Sequence, residues 1–167
     1  MNQCESSNAL IMSNRPIAFA ADRMLGRLAK WLRILGYDVI YGRHLSGHGL
    51  IRAARADGRL ILTRDRRLKR KQPPPFLFID SNDYIEQLRQ VLRAVDLSPG
   101  PGLFSRCLVC NGELQPRSKE SVAELVPPYV FATQERFSWC GCCQRLYWPA
   151  THQQKMLEAL GKMVVTR

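Results

Sequence analysis

The stretch IAFAADRMLGRLAKWLRILGYDVIY, residues 17–41, contains a short apolar run, an aspartate and an amphipathic segment in that order. The run from Ile17 to Ala21 has the length of a buried strand and ends at Asp22. Apolar residues then recur at helical spacing, at Met24, Leu25, Leu28, Trp31, Leu32 and Leu35. Gly36 is typical of a helix C-cap, and residues 37–41 predict a second strand. The stretch therefore predicts a strand, an aspartate, a helix and a strand.

Two more strands that lead into an aspartate follow farther along the chain. The sequence LILT at 60–63 predicts a third strand with Asp65 just after it, and FLFI at 76–79 predicts a fourth strand that ends at Asp80. Helices are predicted at 50–56 and in a later segment whose buried stripe is Ile85, Leu88, Val91, Leu92 and Val95. Strands that alternate with helices predict an α/β fold with a parallel sheet and right-handed crossovers.

The three aspartates Asp22, Asp65 and Asp80 each follow a predicted strand. Because ligands of open α/β sheets bind beyond the carboxyl ends of the strands, we expect the three carboxylates at one edge. Like charges in close proximity repel, and a hard divalent cation relieves that repulsion. The alternatives are a helix N-cap for Asp22 and, for Asp65, a place in a solvated ion-pair cluster with the neighbouring arginines.

The charge of the chain indicates an anionic partner. The sequence has 25 Lys+Arg against 14 Asp+Glu, a formal net charge of +11. This excess favours nucleic acid first and an acidic membrane surface second. The basic run at 64–71 adjoins Asp65, where it predicts phosphate contacts, with a solvated loop as the alternative. The side chains predicted to bind RNA are Arg23, Arg27, Arg64, Arg66, Arg67, Lys69, Arg70 and Lys71.

Four of the six cysteines form two closely spaced pairs, Cys107 with Cys110 and Cys140 with Cys143. Two such pairs about thirty residues apart predict one tetrahedral structural zinc ion, since four thiolates leave no open position for water. Cys142 is the other candidate for the fourth ligand, although the spacing favours Cys143. The alternative for all four is a pair of disulfides or inert thiols. His152 is expected to start the last helix rather than to bind the metal, and Cys4 to take no part.

Five segments together resemble the Mut-seven C-terminal RNase domain family, a branch of the PIN-like nucleases with an appended zinc ribbon. They are FAADRMLGRLAKWLRILGYD, GRLILTRD, FSRCLVCNGEL, VPPYV and FSWCGCCQRLYW, and the resemblance extends from Phe19 to about Met156. It implies a PIN-like three-layer α/β/α fold and a ribonuclease that acts on RNA with acidic residues and magnesium or manganese. Asp22 and Asp65 match two acidic positions of the family.

The family's acidic position on the second helix has no carboxylate here. It falls on Gly47, His48 or Gly49, and His48 is a candidate replacement that favours manganese.

The three aspartates and the resemblance together predict a metal-dependent ribonuclease with the catalytic residues Asp22, Asp65 and Asp80. The alternative is a non-catalytic RNA-binding or ribosome-associated module, and a weaker third hypothesis is a toxin-like or redox-responsive regulator that works through Cys142.

The predicted domain organisation has five parts. These are a disordered leader at 1–15, a PIN-like domain at 16–96, a turn-rich linker at 97–102, a zinc ribbon at 103–151, and a helix and tail at 152–167. The leader lacks the features of a signal peptide, and no apolar run approaches the about 18 residues of a membrane span. With paired cysteines, this pattern predicts a cytoplasmic protein that binds no membrane.

Overall fold

The computed structural model describes residues 16–42, 44–71, 73–95 and 102–149, together with Glu158 and Gly161. The chain divides into two compact units between Asn111 and Gly112. The predicted leader, residues 97–101 of the predicted linker and nearly all of the predicted last helix and tail lie outside the described residues. In the part of the chain that the structure describes, no helix combines the length and apolarity needed to cross a membrane.

The first unit contains a parallel sheet of four strands in the order β2-β1-β3-β4. The strands are β1 Ala18–Ala21, β2 Asp38–Tyr41, β3 Leu60–Thr63 and β4 Phe76–Phe78. All four residues of β3 are buried, as expected for a central strand of a parallel sheet covered on both faces. The predicted α/β fold class with a parallel sheet is therefore confirmed.

Three α-helices and one 3-10 helix accompany this sheet: α1 Gly26–Ile34, α2 Gly47–Asp57, the 3-10 helix Arg66–Lys71 and α3 Tyr84–Ala94. Helix α2 packs through Leu50, Ile51 and Ala54 on the sheet face that carries Ala20 and Ile61. The crossovers β1-α1-β2 and β2-α2-β3 run in opposite directions along the sheet. Because such crossovers are right-handed, α1 covers the other face, where it contacts α3.

The chain reverses direction along the sheet between β1 and β3. From β1 it moves outward to β2, and from β2 it returns past β1 to β3. Helices on opposite faces then leave a crevice beyond the carboxyl ends of the two central strands, which is the usual ligand position in open α/β sheets. Asp22 follows β1 directly, and Asp65 lies two residues after β3.

Residues 102–111 are bonded to α1 and β2 and belong to the first unit. The backbone N–H of Phe104 donates to the carbonyl of Ile34 (2.8 Å), and Arg106 Nε donates to the carbonyl of Gly36 (3.2 Å). The Asn111 side chain accepts from Val39 N (2.9 Å) and donates to a carboxylate oxygen of Asp38 (2.7 Å). The unit consequently continues past the linker predicted at 97–102.

Gly36 has φ +90° after α1, and a methyl group there would overlap the carbonyl of Gly102. We expect Gly36→Ala to destabilise the protein by at least about 2 kcal/mol, because left-handed strain and steric overlap add. Gly58 is a matched control, since its φ is +65° and a methyl group would meet nothing within 4 Å. Gly58→Ala should cost only the strain, about 1 kcal/mol. Equal urea midpoints of unfolding for the two variants would contradict a steric overlap between a side chain at position 36 and the carbonyl of Gly102.

The second unit is built on a three-stranded antiparallel sheet in the order β5-β6-β7. Its elements are β5 Leu114–Arg117, a short 3-10 turn Glu120–Val122, α4 Pro128–Thr133, β6 Phe137–Cys140 and β7 Arg145–Tyr147. The core contains Val122, Val126, Val130 and Phe137. Trp148 packs against this core.

Candidate active site and cysteine cluster

Asp22 lies at the carboxyl end of β1 and is only 4% exposed. Its Oδ1 accepts a hydrogen bond from Met24 N (2.6 Å). Its Oδ2 accepts one from Thr63 Oγ1 (2.7 Å) and one from Arg64 N (3.0 Å). The bond to Met24 closes a turn before α1, whose N-cap is Leu25, so Asp22 is not the helix N-cap of the alternative interpretation. The other two bonds come from the end of β3. Three donors from two chain segments therefore set the orientation of this carboxylate.

Asp65 is half-buried and is linked to Asp22 through Thr63. The Oγ1 of Thr63, a fully buried residue, accepts from Asp65 N (3.0 Å) while it donates to Asp22. Asp65 Oδ1 accepts from Arg67 N (2.9 Å), which caps the 3-10 helix. Neither Asp22 nor Asp65 forms an ion pair within the described ranges. The ion-pair alternative for Asp65 is therefore not what the structure shows.

Asp22 and Asp65 both line a cleft of about 480 Å³ beyond the carboxyl ends of β1 and β3. Four of its lining residues are basic: Arg23, Arg64, Arg67 and Lys71. The remaining lining residues are Met24, Ser46, Gly47, Leu50, Thr63 and Leu68. A pair of carboxylates in a cleft lined by four basic side chains suits a phosphodiester, because the cations hold phosphate oxygens and the carboxylates hold a metal ion or a proton.

Asp80 is exposed and does not line the cleft. Its backbone N–H donates to Gln90 Oε1 (3.2 Å), on α3. Strand β4 is separated from β1 by β3, and neighbouring strands lie about 4.8 Å apart. The expected convergence of three carboxylates is thus not found. Among the described residues, no three acidic or histidine side chains approach closely enough to share one cation.

Of the three positions on which the further acid implied by the resemblance could fall, only Gly47 is among the lining residues, and it carries no side chain. Gly47 lines the cleft with φ +51°, and a Cβ there would lie 3.2 Å from Lys71 Nζ. His48 is exposed and is not among the lining residues, so its suggested role as a replacement ligand has no geometric support. A cation from the 3-10 helix occupies the side of the cleft next to Gly47.

Cys107, Cys110, Cys140 and Cys143 form the second site, with one Sγ from each within 4.8 Å of the others. Cys107 and Cys140 are buried, whereas Cys142 is exposed and lies outside the group, which supports Cys143 as the fourth member. None of the five described cysteines forms a disulfide, so the disulfide alternative is not realised among them. Four converging thiols are the donor set of structural zinc sites. His152 and Cys4 lie outside the described residues.

Both cysteine pairs have the same backbone signature. The residue after each pair has a positive φ, +72° at Asn111 and +53° at Gln144. In the first pair, Cys110 N also donates to Cys107 Sγ (3.5 Å). Tight turns of this kind point two thiolates to the same side, as a tetrahedral ion requires.

The sequence matches the Mut7-C RNAse domain family over residues 17–160, a span that includes the cleft and both cysteine pairs. The chain belongs to this family. No curated protein and no solved structure matches the chain. Membership of the Mut7-C family indicates a ribonuclease-type function with RNA as the substrate, and the four-cysteine cluster of this Mut7-C domain is compatible with the expected zinc ribbon.

Only half of the basic residues predicted to bind RNA line the cleft of the Mut7-C domain. Arg27, Arg66 and Arg70 do not, and the side chain of Lys69 lies outside what the structure describes. Arg27 lies over the ring of Tyr84 (5.6 Å to the centroid), and Arg66 lies over the ring of Phe78 (5.9 Å). With three residues per turn, a 3-10 helix turns consecutive basic residues in different directions.

Thr63 and Arg33 are residues of the Mut7-C domain whose roles were not predicted. The sequence signal for Thr63 is a hydroxyl on the last residue of the predicted third strand, two residues before Asp65. The signal for Arg33 is an arginine between the apolar residues Leu32 and Ile34. Arg33 is 3% exposed. Its guanidinium donates to Val39 O (2.8 and 3.1 Å), Leu108 O (3.0 Å) and Val109 O (3.1 Å).

Two charged residues near the first cysteine pair, Arg33 and Asp38, form hydrogen bonds that are buried or partly buried. Burial lowers the pKa of the Arg33 guanidinium from its ordinary value, while the nearby Cys107 and Cys110 oppose that shift. Burial alone would raise the pKa of Asp38, but hydrogen bonds from Arg59 (2.6 Å) and Asn111 (2.7 Å) bring it below its ordinary value. The bonds of Asn111 to Asp38 and Val39 attach the turn at 107–111 to β2.

Proposed function

We propose that the protein is a metal-dependent ribonuclease, a PIN-like endonuclease that cleaves phosphodiester bonds of RNA in the cleft. The observation that carries the proposal is the pair Asp22 and Asp65, joined through Thr63, in a cleft lined by four basic side chains. The family supports the ribonuclease-type activity, and the metal dependence rests on the carboxylate pair.

Carboxylate oxygens are the ligands that magnesium and manganese prefer. Such an ion would lower the pKa of an attacking water and offset negative charge on the phosphate. Asp22 would present an oriented carboxylate, because its three donors hold it before substrate arrives. Asp65 uses Oδ1 to cap the 3-10 helix, and its Oδ2 has no hydrogen bond among the described residues. That oxygen is the one available for a metal ion.

The basic side chains would position the RNA. Arg64 and Arg67 flank Asp65 in sequence, and Lys71 closes the cleft beside Gly47. Cations at these places hold the phosphates on either side of the cleaved bond and supply most of the binding free energy in a salt-dependent way. Asp80 stays a predicted ligand, but its position outside the cleft favours a minor role.

The test is an RNA cleavage assay with zinc-loaded, folded full chain. Labelled single-stranded and structured RNAs are incubated with added manganese, with added magnesium, and with neither. We expect cleavage only with an added divalent ion and a distribution of internal products, as an endonuclease produces. Cleavage that is independent of the added ion, or its absence under all three conditions, would reject the proposal.

Thr63→Val should lower metal-dependent cleavage about 10- to 100-fold, the usual effect of removing a group that orients metal ligands. Valine keeps the shape of threonine but cannot donate to Asp22 or accept from Asp65 N. Thr63→Ser keeps the hydroxyl and is the matched control, expected to stay close to wild type. The readout is kcat/KM at several manganese concentrations. Equal activities of the two variants would show that the link between the carboxylates has no function.

A non-catalytic RNA-binding or ribosome-associated module is the second candidate. It is favoured by the glycine at position 47 and by the absence of Asp80 from the cleft lining. This candidate predicts salt-sensitive RNA binding that is unchanged in Asp22→Asn and Asp65→Asn, with no cleavage by any form. Binding and cleavage measured on the same preparations separate the two functions.

The four-cysteine cluster would hold a structural zinc ion in this function. Four thiolates fill a tetrahedral coordination sphere, so the zinc would stabilise the fold and leave the chemistry to the cleft. A reducing compartment such as the cytoplasm fits the lack of disulfides among the described cysteines.

A further inference from the structure

Three side chains on α1 and α3 form a stacked group outside the cleft lining. The rings of Trp31 and Tyr84 are nearly parallel, with centroids 5.9 Å apart and planes 17° apart. The guanidinium carbon of Arg27 lies 5.6 Å from the Tyr84 centroid. Both rings are half-buried and Arg27 is exposed, so part of the group is open to solvent. We call Arg27, Trp31 and Tyr84 the Tyr84 stack.

The Tyr84 stack lies at the same edge of the sheet as the cleft. Helix α1 follows β1 and α3 follows β4, so the first turns of both helices are at the carboxyl ends of the strands. Arg27 is in the first turn of α1, and Tyr84 is the first residue of α3. Arg23, four residues before Arg27, lines the cleft. The chain segment from Arg23 to Arg27 therefore connects the cleft lining to the stack.

One side of the Tyr84 ring is used for contacts within the protein. Arg27 and Trp31 are four residues apart and so lie on the same side of α1. They contact Tyr84 from that side. Tyr84 remains partly exposed despite these contacts. A half-exposed aromatic ring held by its neighbours can stack on a nucleobase at a low cost in side-chain entropy.

The charges around the Tyr84 stack suit an RNA strand. Arg27 and Arg23 are exposed and basic. The nearest acid in sequence, Asp83, uses its carboxylate to accept from Ile85 N (2.9 Å) and Glu86 N (3.1 Å) at the start of α3. Glu86 is paired with Arg89. Glu86 is thus ion-paired and Asp83 is bonded to the backbone, whereas Arg23 and Arg27 form no ion pair among the described residues.

We propose that the Tyr84 stack binds a base of single-stranded RNA whose backbone enters the cleft. This inference rests on the proposed function for the choice of RNA as ligand, and it adds a preference for unpaired strands. The bases of a duplex are stacked on one another and cannot reach the ring, whereas any unpaired base offers a π face. Arg27 would add a cation-π contact to the ring and a charge for the adjoining phosphate.

The test measures the affinity of full-length variants for a fluorescent oligoadenylate without added magnesium or manganese. We expect Tyr84→Ala to weaken binding about 5- to 100-fold, the range found when one base-stacking aromatic residue is removed. Tyr84→Phe keeps the ring and should bind like wild type. A matched strand without bases and an RNA duplex should bind both variants equally, because neither offers an unpaired base. Thermal melts of all variants check that they are folded.

The outcomes separate this inference from the proposed function. A Tyr84→Ala variant that binds oligoadenylate like wild type, or that loses affinity for the baseless strand and the duplex to the same extent, would overturn the stacking role even if metal-dependent cleavage is found. Failure of Tyr84→Phe to restore binding would do the same. If no cleavage is found but the base-dependent loss is, the stack remains as an RNA-binding site and the nuclease proposal fails.

Discussion

We expect Asp22→Asn to lower metal-dependent RNA cleavage by about 1000-fold or more. The substitution removes a negative charge from a carboxylate that is 4% exposed and already oriented by three hydrogen-bond donors. Charge stabilisation by a catalytic metal ion is worth several kcal/mol, and about 4 kcal/mol corresponds to about 1000-fold in rate. Asp65→Asn should act in the same direction, since Asp65 shares the Thr63 hydroxyl and the cleft.

Asp80→Asn is the matched control for this experiment. Asp80 also follows a strand of the sheet, but it is exposed and does not line the cleft. We expect its cleavage rate to stay within about threefold of wild type, since exposed charges beyond contact distance are screened. The measurement is kcat/KM with manganese, together with RNA affinity and a thermal melt for each variant. A large loss in Asp80→Asn with none in Asp22→Asn would place the active site elsewhere.

Asp22→Asn can also lower the stability of the fold, so the experiment has to separate a loss of stability from a loss of catalysis. The amide nitrogen of asparagine is a donor and cannot accept the hydrogen bond that Thr63 Oγ1, Arg64 N or Met24 N donates to the carboxylate. Loss of one such buried bond costs about 1–3 kcal/mol. RNA affinity that is retained in a folded variant, with cleavage lost, identifies a catalytic effect.

Cys140→Ser should produce the largest loss of stability. Cys140 is buried at the end of β6, and its Sγ lies within the four-cysteine cluster. A structural zinc site contributes on the order of 10 kcal/mol of binding free energy to folding, so a broken site should lower the melting temperature by at least about 10 °C. Zinc measured by mass spectrometry should fall from one ion per chain to well below one.

Cys142→Ser is the control for the cysteine cluster. Cys142 is two residues after Cys140 and is exposed outside the cluster. We expect this variant to keep one zinc ion per chain and the wild-type melting temperature. If Cys142→Ser instead loses zinc and Cys143→Ser does not, the fourth ligand is Cys142 and the described geometry of the cluster is wrong.

Local patterns were sufficient for the sheet and for the cysteine pairs. Apolar runs of strand length that alternate with helical stripes predicted a parallel sheet, because burial of both faces leaves that periodicity in the sequence. Close spacing predicted the cysteine cluster, because two thiols three residues apart can reach one ion from a single turn. Because parallel strands end at one edge, the sequence alone predicted Asp22 and Asp65 at the same edge of the sheet, where both line the cleft.

Strand order and side-chain direction depended on the tertiary structure. The order β2-β1-β3-β4 puts β4 two strands away from β1, and for this reason Asp80 is outside the cleft although its sequence context matches that of Asp22. The bonds of Thr63 to Asp22 and of Arg33 to Leu108 join residues that are distant in the chain. The bond of Thr63 to Asp65 depends on the direction in which packing holds the Thr63 side chain. Periodicity in the sequence predicts which side chains of an element are buried. Contacts between elements depend on how the elements pack against one another, and the periodicity of each element does not determine that packing.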